Sequence, residues 1–208
     1  MVCLVNSLNC SRHVALLQSM HQDRKRIFVD ILKWDVPHDG AGEQDQFDDE
    51  HAEYLIVQDP LTGEHCASMR LLRTDRPHIL DTLFSELCER EIPRDPAIRE
   101  VTRLCMSPSL RARDRLAARN TLIRGMVEYA ILTGIRAFTG VADMAWLSQI
   151  LAAGWDCRPL GLPKPIGGAM LGGLIIHITP DTLNRFVGSW RCSSPALRVL
   201  ELDEHNAA

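Results

Sequence analysis

The chain has 208 residues, 46% of them hydrophobic and 24% charged, which suits one globular domain, residues 1–208, with a full core. A formal net charge of −4 offers no basic field for nucleic acid or an anionic membrane surface. Seven scattered cysteines without a C-x-x-C pair, and eight histidines without ligand spacing, point to a reducing cytosol and to no metal centre or disulfide scaffold.

In chain order, residues 2–6 suit a short strand. A helical pattern follows from about His13 to Lys33, with Leu17, Met20, Ile27, Phe28 and Ile31 on one face. Arg24 falls in that apolar stripe, and a guanidinium there needs a carboxylate or an anionic ligand unless it snorkels to solvent. Trp34, a Pro/Gly loop and the acids Glu43, Asp45, Asp48, Asp49 and Glu50 come next, with Phe47 among them. They read either as a polar site in an apolar wall or as a surface helix followed by a solvated loop.

Residues 54–58 and 65–72 flank the turn Asp59-Pro60-Leu61-Thr62-Gly63 and predict a β-hairpin. Arg70 on the return strand is expected at its surface. Residues 77–90 fit an amphipathic helix with Phe84 on its inner face. Ile98–Met106 is a strand whose alternation puts Glu100, Thr102, Leu104 and Met106 on one face, and Arg99, Val101, Arg103 and Cys105 on the other. Polar groups on both faces of a central strand suggest a bulge, which would bring Glu100 and Arg103 nearer to one side and leave an N–H free for a ligand.

A helix over 114–133 with Asp114 as N-cap and Gly134 at its end follows, preceded by Arg111 and Arg113. Those arginines suit either a phosphate at the helix start or solvent. A strand over 135–141, a helix over 144–153 capped by Asp143, a strand over 169–178 and a helical turn at 181–187 complete the pattern, and residues 193–208 are expected to be a loosely held tail. The order describes an α/β or α+β domain around one mixed sheet. Residues 161–173 are glycine-rich but lack a phosphate-loop spacing, and no Ser/His/Asp grouping stands out. No secretion signal and no apolar run of about 18 residues occurs, so a cytoplasmic protein without a membrane span is expected.

Several short motifs, taken together, resemble those of the acyl-homoserine lactone synthases, the autoinducer synthases of quorum sensing. They are Arg24-x-x-Ile27-Phe28, Leu32-x-Trp34, Glu43-x-Asp45-x-Phe47-Asp48, Ser68-Met69-Arg70-Leu71-Leu72 with Pro77, and Glu100-Val101-Thr102-Arg103. Weaker agreement runs through Ala153-Gly154-Trp155 to Pro163-x-x-Ile166-Gly167. The resemblance implies a fold similar to the N-acetyltransferase (GNAT-like) superfamily, with a mixed, splayed sheet holding an acylated phosphopantetheine between two central strands. It also implies acylation of the α-amine of S-adenosylmethionine by an acyl thioester, then lactone closure with release of methylthioadenosine. The competing activity is acylation of another amine without lactonisation.

Carried onto this chain, the resemblance implies Glu100 as general base and a network of Arg24, Arg70 and Arg103 against Asp45 and Asp48. Phe28, Trp34, Phe84 and Thr102 would complete the S-adenosylmethionine pocket, with Trp34 meeting the sulfonium. Met106, Thr139, Met144 and Trp146 would line the acyl pocket, and Arg111 and Arg113 would meet the donor. The Gln-Phe-Asp-Asp-Glu-His and Glu-Val-Thr-Arg contexts are more similar to the branch that uses acyl-coenzyme A with branched or aryl groups. An acidic acyl carrier protein is the alternative donor. No cofactor beyond these substrates is implied.

Overall fold

Hydrophobic alternation in the strands decides which layer each helix covers. The computed structural model describes residues 1–190 and 195–197 and contains an eight-stranded sheet in the order β1-β2-β3-β4-β5-β8-β6, with β7 pairing beside β6 on β8. The strands are β1 Val2–Val5, β2 Glu53–Gln58, β3 His65–Arg73, β4 Ile98–Met106, β5 Ala137–Asp143, β6 Asp156–Pro159, β7 Lys164–Ile166 and β8 Ala169–His177. Leu55, Ala67, Met69 and Leu71 face one layer, built on α3 (Ala112–Thr133) and α4 (Met144–Leu151). Tyr54, Ile56 and Leu72 face the other, where Leu16 and Met20 of α1 (Val14–Arg24) pack.

The predicted hairpin and the strand over 98–106 stand as β2–β3 and β4. Asp143 does cap α4, accepting from the Trp146 N–H at 2.8 Å, and Gly134 ends α3 with φ +75°. Three expectations need correction. The helix over 77–90 is only α2 (Ile79–Thr82) and a 3-10 turn at Ser85–Leu87, and Leu83 between them, expected on the inner face with Phe84, is exposed. The N-cap of α3 is Arg111, so Asp114 lies in the first turn, where its charge favours the helix dipole. The α1 pattern ends at Arg24 and passes into a π-helical stretch, Lys25–Ile31. Strands β6 and β7 were too short and polar to be foreseen. The last helical turn is α5, Thr182–Arg185. Apart from 195–197, the expected loose tail lies outside the described residues; Ala196 itself is buried and its carbonyl accepts the Val2 N–H at 2.6 Å.

Two features position the site. First, the parallel pair β4–β5 runs only from Ile98↔Ala137 to Val101↔Gly140. Beyond it, β4 stays with β3 and β5 stays with β8, so the sheet splits between them. Gly140 lies at the point of divergence, where a Cβ would sit 3.3 Å from the Val101 carbonyl oxygen. Second, β4 carries one extra residue against β3 between the Arg70↔Thr102 and Ser68↔Cys105 pairs, and Arg103 has φ +51°. This is the bulge foreseen from the polar residues on both faces. It reverses the alternation, so Leu104 and Met106 pack on the α3 layer while Arg103 joins Thr102 on the α1 side.

Close packing on the α3 face gives a stability prediction. Gly125 lies so near β1 that an added Cβ would approach Val2 Cγ2 to 2.5 Å. Gly125→Ala is expected to cost about 1–3 kcal/mol despite its better helix propensity, read as a lower urea midpoint with an unchanged slope.

Candidate functional site

The site grows from α1, the loop after it, and β3–β4. Arg24 is 1% exposed. Its Nε donates to Glu43 Oε2 at 2.6 Å, and its two Nη groups donate to the Asp48 carboxylate at 2.8 and 2.9 Å. Arg70, expected at the surface, is buried on central strand β3 instead; it binds both Asp45 oxygens at 2.6 and 3.0 Å and Thr102 Oγ1 at 3.0 Å. It also lies 2.9 Å from Asp48. Arg103 reaches Glu43 at 2.9 Å and Asp45 at 2.7 Å. Tyr54 donates its hydroxyl to Asp48 at 2.8 Å. Three guanidinium groups thus face three carboxylates, and the cluster closes electrically neutral.

That balance is what makes burial tolerable, since an unpaired charge here would be far costlier than a paired one. Burial pushes the Asp48 carboxyl up, but the Arg24 hydrogen bonds and charge, with Arg70, hold it well below the usual carboxylate range. Asp45 is likewise held low against its burial by Arg70 and Arg103. Arg103 keeps its left-handed backbone, a conformation costing about 1–3 kcal/mol, because Glu43 and Asp45 grip its side chain. Aromatic rings floor the cations, with Arg70 5.8 Å from the Phe47 centroid and Arg103 5.6 Å from that of Phe28. Phe28 stacks on Trp34 at 4.8 Å with the rings 12° apart, and Trp34 remains 47% exposed. Phe84 packs half-buried against the same α1-side cluster.

Glu100 sits next to this network on β4 and is completely buried. Its two oxygens accept the Ile79 and Leu80 N–H groups at the start of α2, each at 2.8 Å. Burial pushes its carboxyl up to about 8, even though those two amides and Arg70 pull it down. Thr139 is its register partner across the parallel pair, buried and, among the described residues, with no hydrogen-bond partner for its hydroxyl.

Trp146 is half-buried on the α3 side of the split, whereas Met144 is 39% exposed at the start of α4. Met106 lies half-buried on that same α3 side, away from the arginine network. Arg111 and Arg113 are exposed at the start of α3. The structure thus separates two neighbourhoods, the polar network with Phe28, Trp34, Phe84 and Glu100 on the α1 side, and Met106 and Trp146 on the other.

Sequence reasoning missed three things. Glu43 is the hub shared by Arg24 and Arg103, although only Asp45 and Asp48 were expected as their partners. Tyr54 could have been found from the hairpin register, which sets it opposite Arg70. A Ser/His/Asp grouping also exists after all, contrary to the reading of the sequence. His65 Nδ1 lies 2.8 Å from Asp23 Oδ2, and His65 Nε2 lies 2.9 Å from Ser68 Oγ. All three are buried, and the chain ties α1 to β3 as a strut beside Arg24. Among the described residues, no cluster of His, Cys, Asp and Glu forms a metal site, and no helix is long and apolar enough to cross a membrane.

A sheet split between two central strands, with a bulge beside the split, is the architecture of the N-acetyltransferase class. A Lactobacillus plantarum protein named as a putative N-acetyltransferase shares the fold at a TM-score of 0.53 and 14% identity, over 86% of this chain and 99% of that one. Much nearer are two coenzyme A-dependent acyl-homoserine lactone synthases. MesI superposes with a TM-score of 0.83 at 26% identity, covering 94% of this chain and 98% of that one. BjaI, solved with S-adenosylmethionine and isopentyl-coenzyme A, gives 0.80 at 26% identity over 88% and 86%. The profile of the autoinducer synthases matches residues 8–182. An acyl-homoserine-lactone synthase of Rhizobium etli is 32% identical over 158 residues, 74% of each chain. The chain belongs to the autoinducer synthase family and is an acyl-homoserine-lactone synthase.

Proposed function

We propose that this enzyme binds S-adenosylmethionine beside the Phe28–Trp34 stack, acylates its α-amine from acyl-coenzyme A, and closes the lactone with release of methylthioadenosine. The observation that carries the reading is the position of Glu100, next to both the arginine network and the split between β4 and β5. An α-ammonium must lose its proton before it can attack a thioester. A carboxylate whose affinity for protons is raised by burial is suited to take it as general base. In the new amide, the nitrogen comes from S-adenosylmethionine and the thiolate of coenzyme A departs. The substrate carboxylate then displaces methylthioadenosine from the γ-carbon.

The thioester approaches through the split, where the bulged strand around Arg103 offers backbone N–H groups to the developing oxyanion. Trp34, with its outer face in solvent, meets the sulfonium, while Phe84 closes the apolar wall. Arg24, Arg70 and Arg103 with Glu43, Asp45 and Asp48 order the loop over that pocket. Thr102 holds Arg70 in place, and Thr139 lies beside the acyl group. Met144 borders the opening of the acyl pocket, and Arg111 and Arg113 meet the phosphates of coenzyme A at the start of α3. No further cofactor enters the reaction.

The coenzyme A preference rests on the likeness to BjaI and MesI, both coenzyme A-dependent. Incubation with S-adenosylmethionine and matched acyl-coenzyme A and acyl-carrier-protein donors tests both parts. Release of methylthioadenosine and a lactone of the matching mass is expected, faster with coenzyme A. Formation of an acylated amine without methylthioadenosine would identify a plain N-acyltransferase instead.

A further inference from the structure

Past Gly140, where β4 and β5 part, Leu104 and Met106 of β4, Ala142 of β5 and Trp146 of α4 all pack into the apolar cluster on the α3 side. Part of that cluster comes from far along the chain. Trp190 is buried in the same cluster, 6.0 Å from the Trp146 ring and 6.1 Å from Trp155. The Arg119 guanidinium of α3 covers its face at 4.0 Å, and Phe186 packs on Trp155 at 5.2 Å. A large ring held between a cation and two indoles has little freedom to move aside.

We propose that Trp190 is a specificity-determining residue, the floor that limits the acyl pocket to short or branched acyl groups. The proposal rests on the reading that an acyl thioester enters between β4 and β5. An acyl chain directed down the split meets Trp146 first and then the Trp190 ring, so each added methylene must displace a packed aromatic. Pockets of this kind discriminate by roughly 10- to 200-fold per methylene.

The test is a donor ladder of butanoyl-, isopentanoyl-, octanoyl- and dodecanoyl-coenzyme A with S-adenosylmethionine, read as kcat/KM for methylthioadenosine release. Wild type is expected to favour the butanoyl and isopentanoyl donors. Trp190→Ala is expected to raise the octanoyl-to-butanoyl ratio at least about tenfold, the effect of roughly one methylene of discrimination. Trp190→Phe should move it the same way by less, and decides the matter if the alanine variant does not fold. A uniform fall across all donors, an unchanged ratio, or wild-type preference for dodecanoyl overturns the proposal. Absence of methylthioadenosine from wild type with every donor overturns instead the reading on which it rests.

Discussion

Asp48→Asn is expected to destabilise the protein by about 3–5 kcal/mol and to abolish activity with the same stroke. Asp48 accepts both Arg24 nitrogens, the Tyr54 hydroxyl and the Asp45 N–H, and lies 2.9 Å from Arg70. Asparagine keeps the shape but presents N–H groups to donors and removes the charge that neutralises two buried guanidinium groups. Most of the penalty therefore comes from cations stranded without a counter-charge, and less from the missing hydrogen bonds themselves. A domain of this size should lose roughly 2–4 °C of Tm per kcal/mol, so calorimetry reads the effect directly. Substitution of Arg24 by alanine as well should restore part of the loss, because it removes one of the stranded charges. If Asp48→Asn keeps wild-type stability while losing activity, the ion pairs act on substrate and not on the fold.

Glu100→Gln should behave in the opposite way. As the proposed general base, Glu100 is expected to contribute about 100- to 10,000-fold to kcat/KM, lost in the variant. The fold should hold, since a glutamine oxygen still accepts one of the two α2 amides. The pH dependence follows from the raised carboxyl. In the folded chain it titrates near 8, against an ordinary 4.5. Between those values the folded state holds a proton that the unfolded state has released, so ionisation favours unfolding and stability falls as pH rises from about 4.5 to about 8. Below that window both states are protonated, and above it both are ionised. Wild type should therefore lose stability relative to Glu100→Gln across the window, in urea titrations at pH 5 and pH 8. Wild-type kcat/KM should rise with pH to an inflection near 8, as the base becomes available. A flat profile through this range would remove Glu100 from proton transfer.

How much of this was legible beforehand differs by kind of residue. The hairpin, β4 and the capped start of α4 follow from local patterns, because alternation, turn chemistry and an Asp cap are short-range causes. Even the bulge was visible, as polar residues on both faces of one strand. Arg70 was misjudged because an arginine on a strand is usually at its surface; only the register with β4 and the loop carrying Asp45 shows that it is central. Glu43 was noted among the acids, but its role as the partner shared by Arg24 and Arg103 was not, because one carboxylate among five in a loop cannot be told from the rest until the fold closes. The Asp23–His65–Ser68 strut joins residues 42 apart in sequence and is invisible to any spacing rule. Helix 77–90 breaks after Thr82, where Leu83, expected on its inner face, is exposed, so its apolar residues do not form one continuous helical face.

The arginine network also bears on how the protein comes to be folded. Its links close loops of 19 residues for Arg24–Glu43, 25 for Arg70–Asp45 and 60 for Arg103–Glu43. Each closure costs chain entropy before any pairing repays it, and a guanidinium with only one of its partners in place is worse off than one still in water. The pieces therefore gain from assembling together and late, once β3 and β4 have set Arg70 and Arg103 side by side. A partly folded chain would have no half-formed pocket, and the substrate would select only molecules that have completed the last step. Signal synthesis in such an enzyme would report on the fraction of chains fully folded, switching off with the earliest loosening of α1 while most of the sheet is still intact.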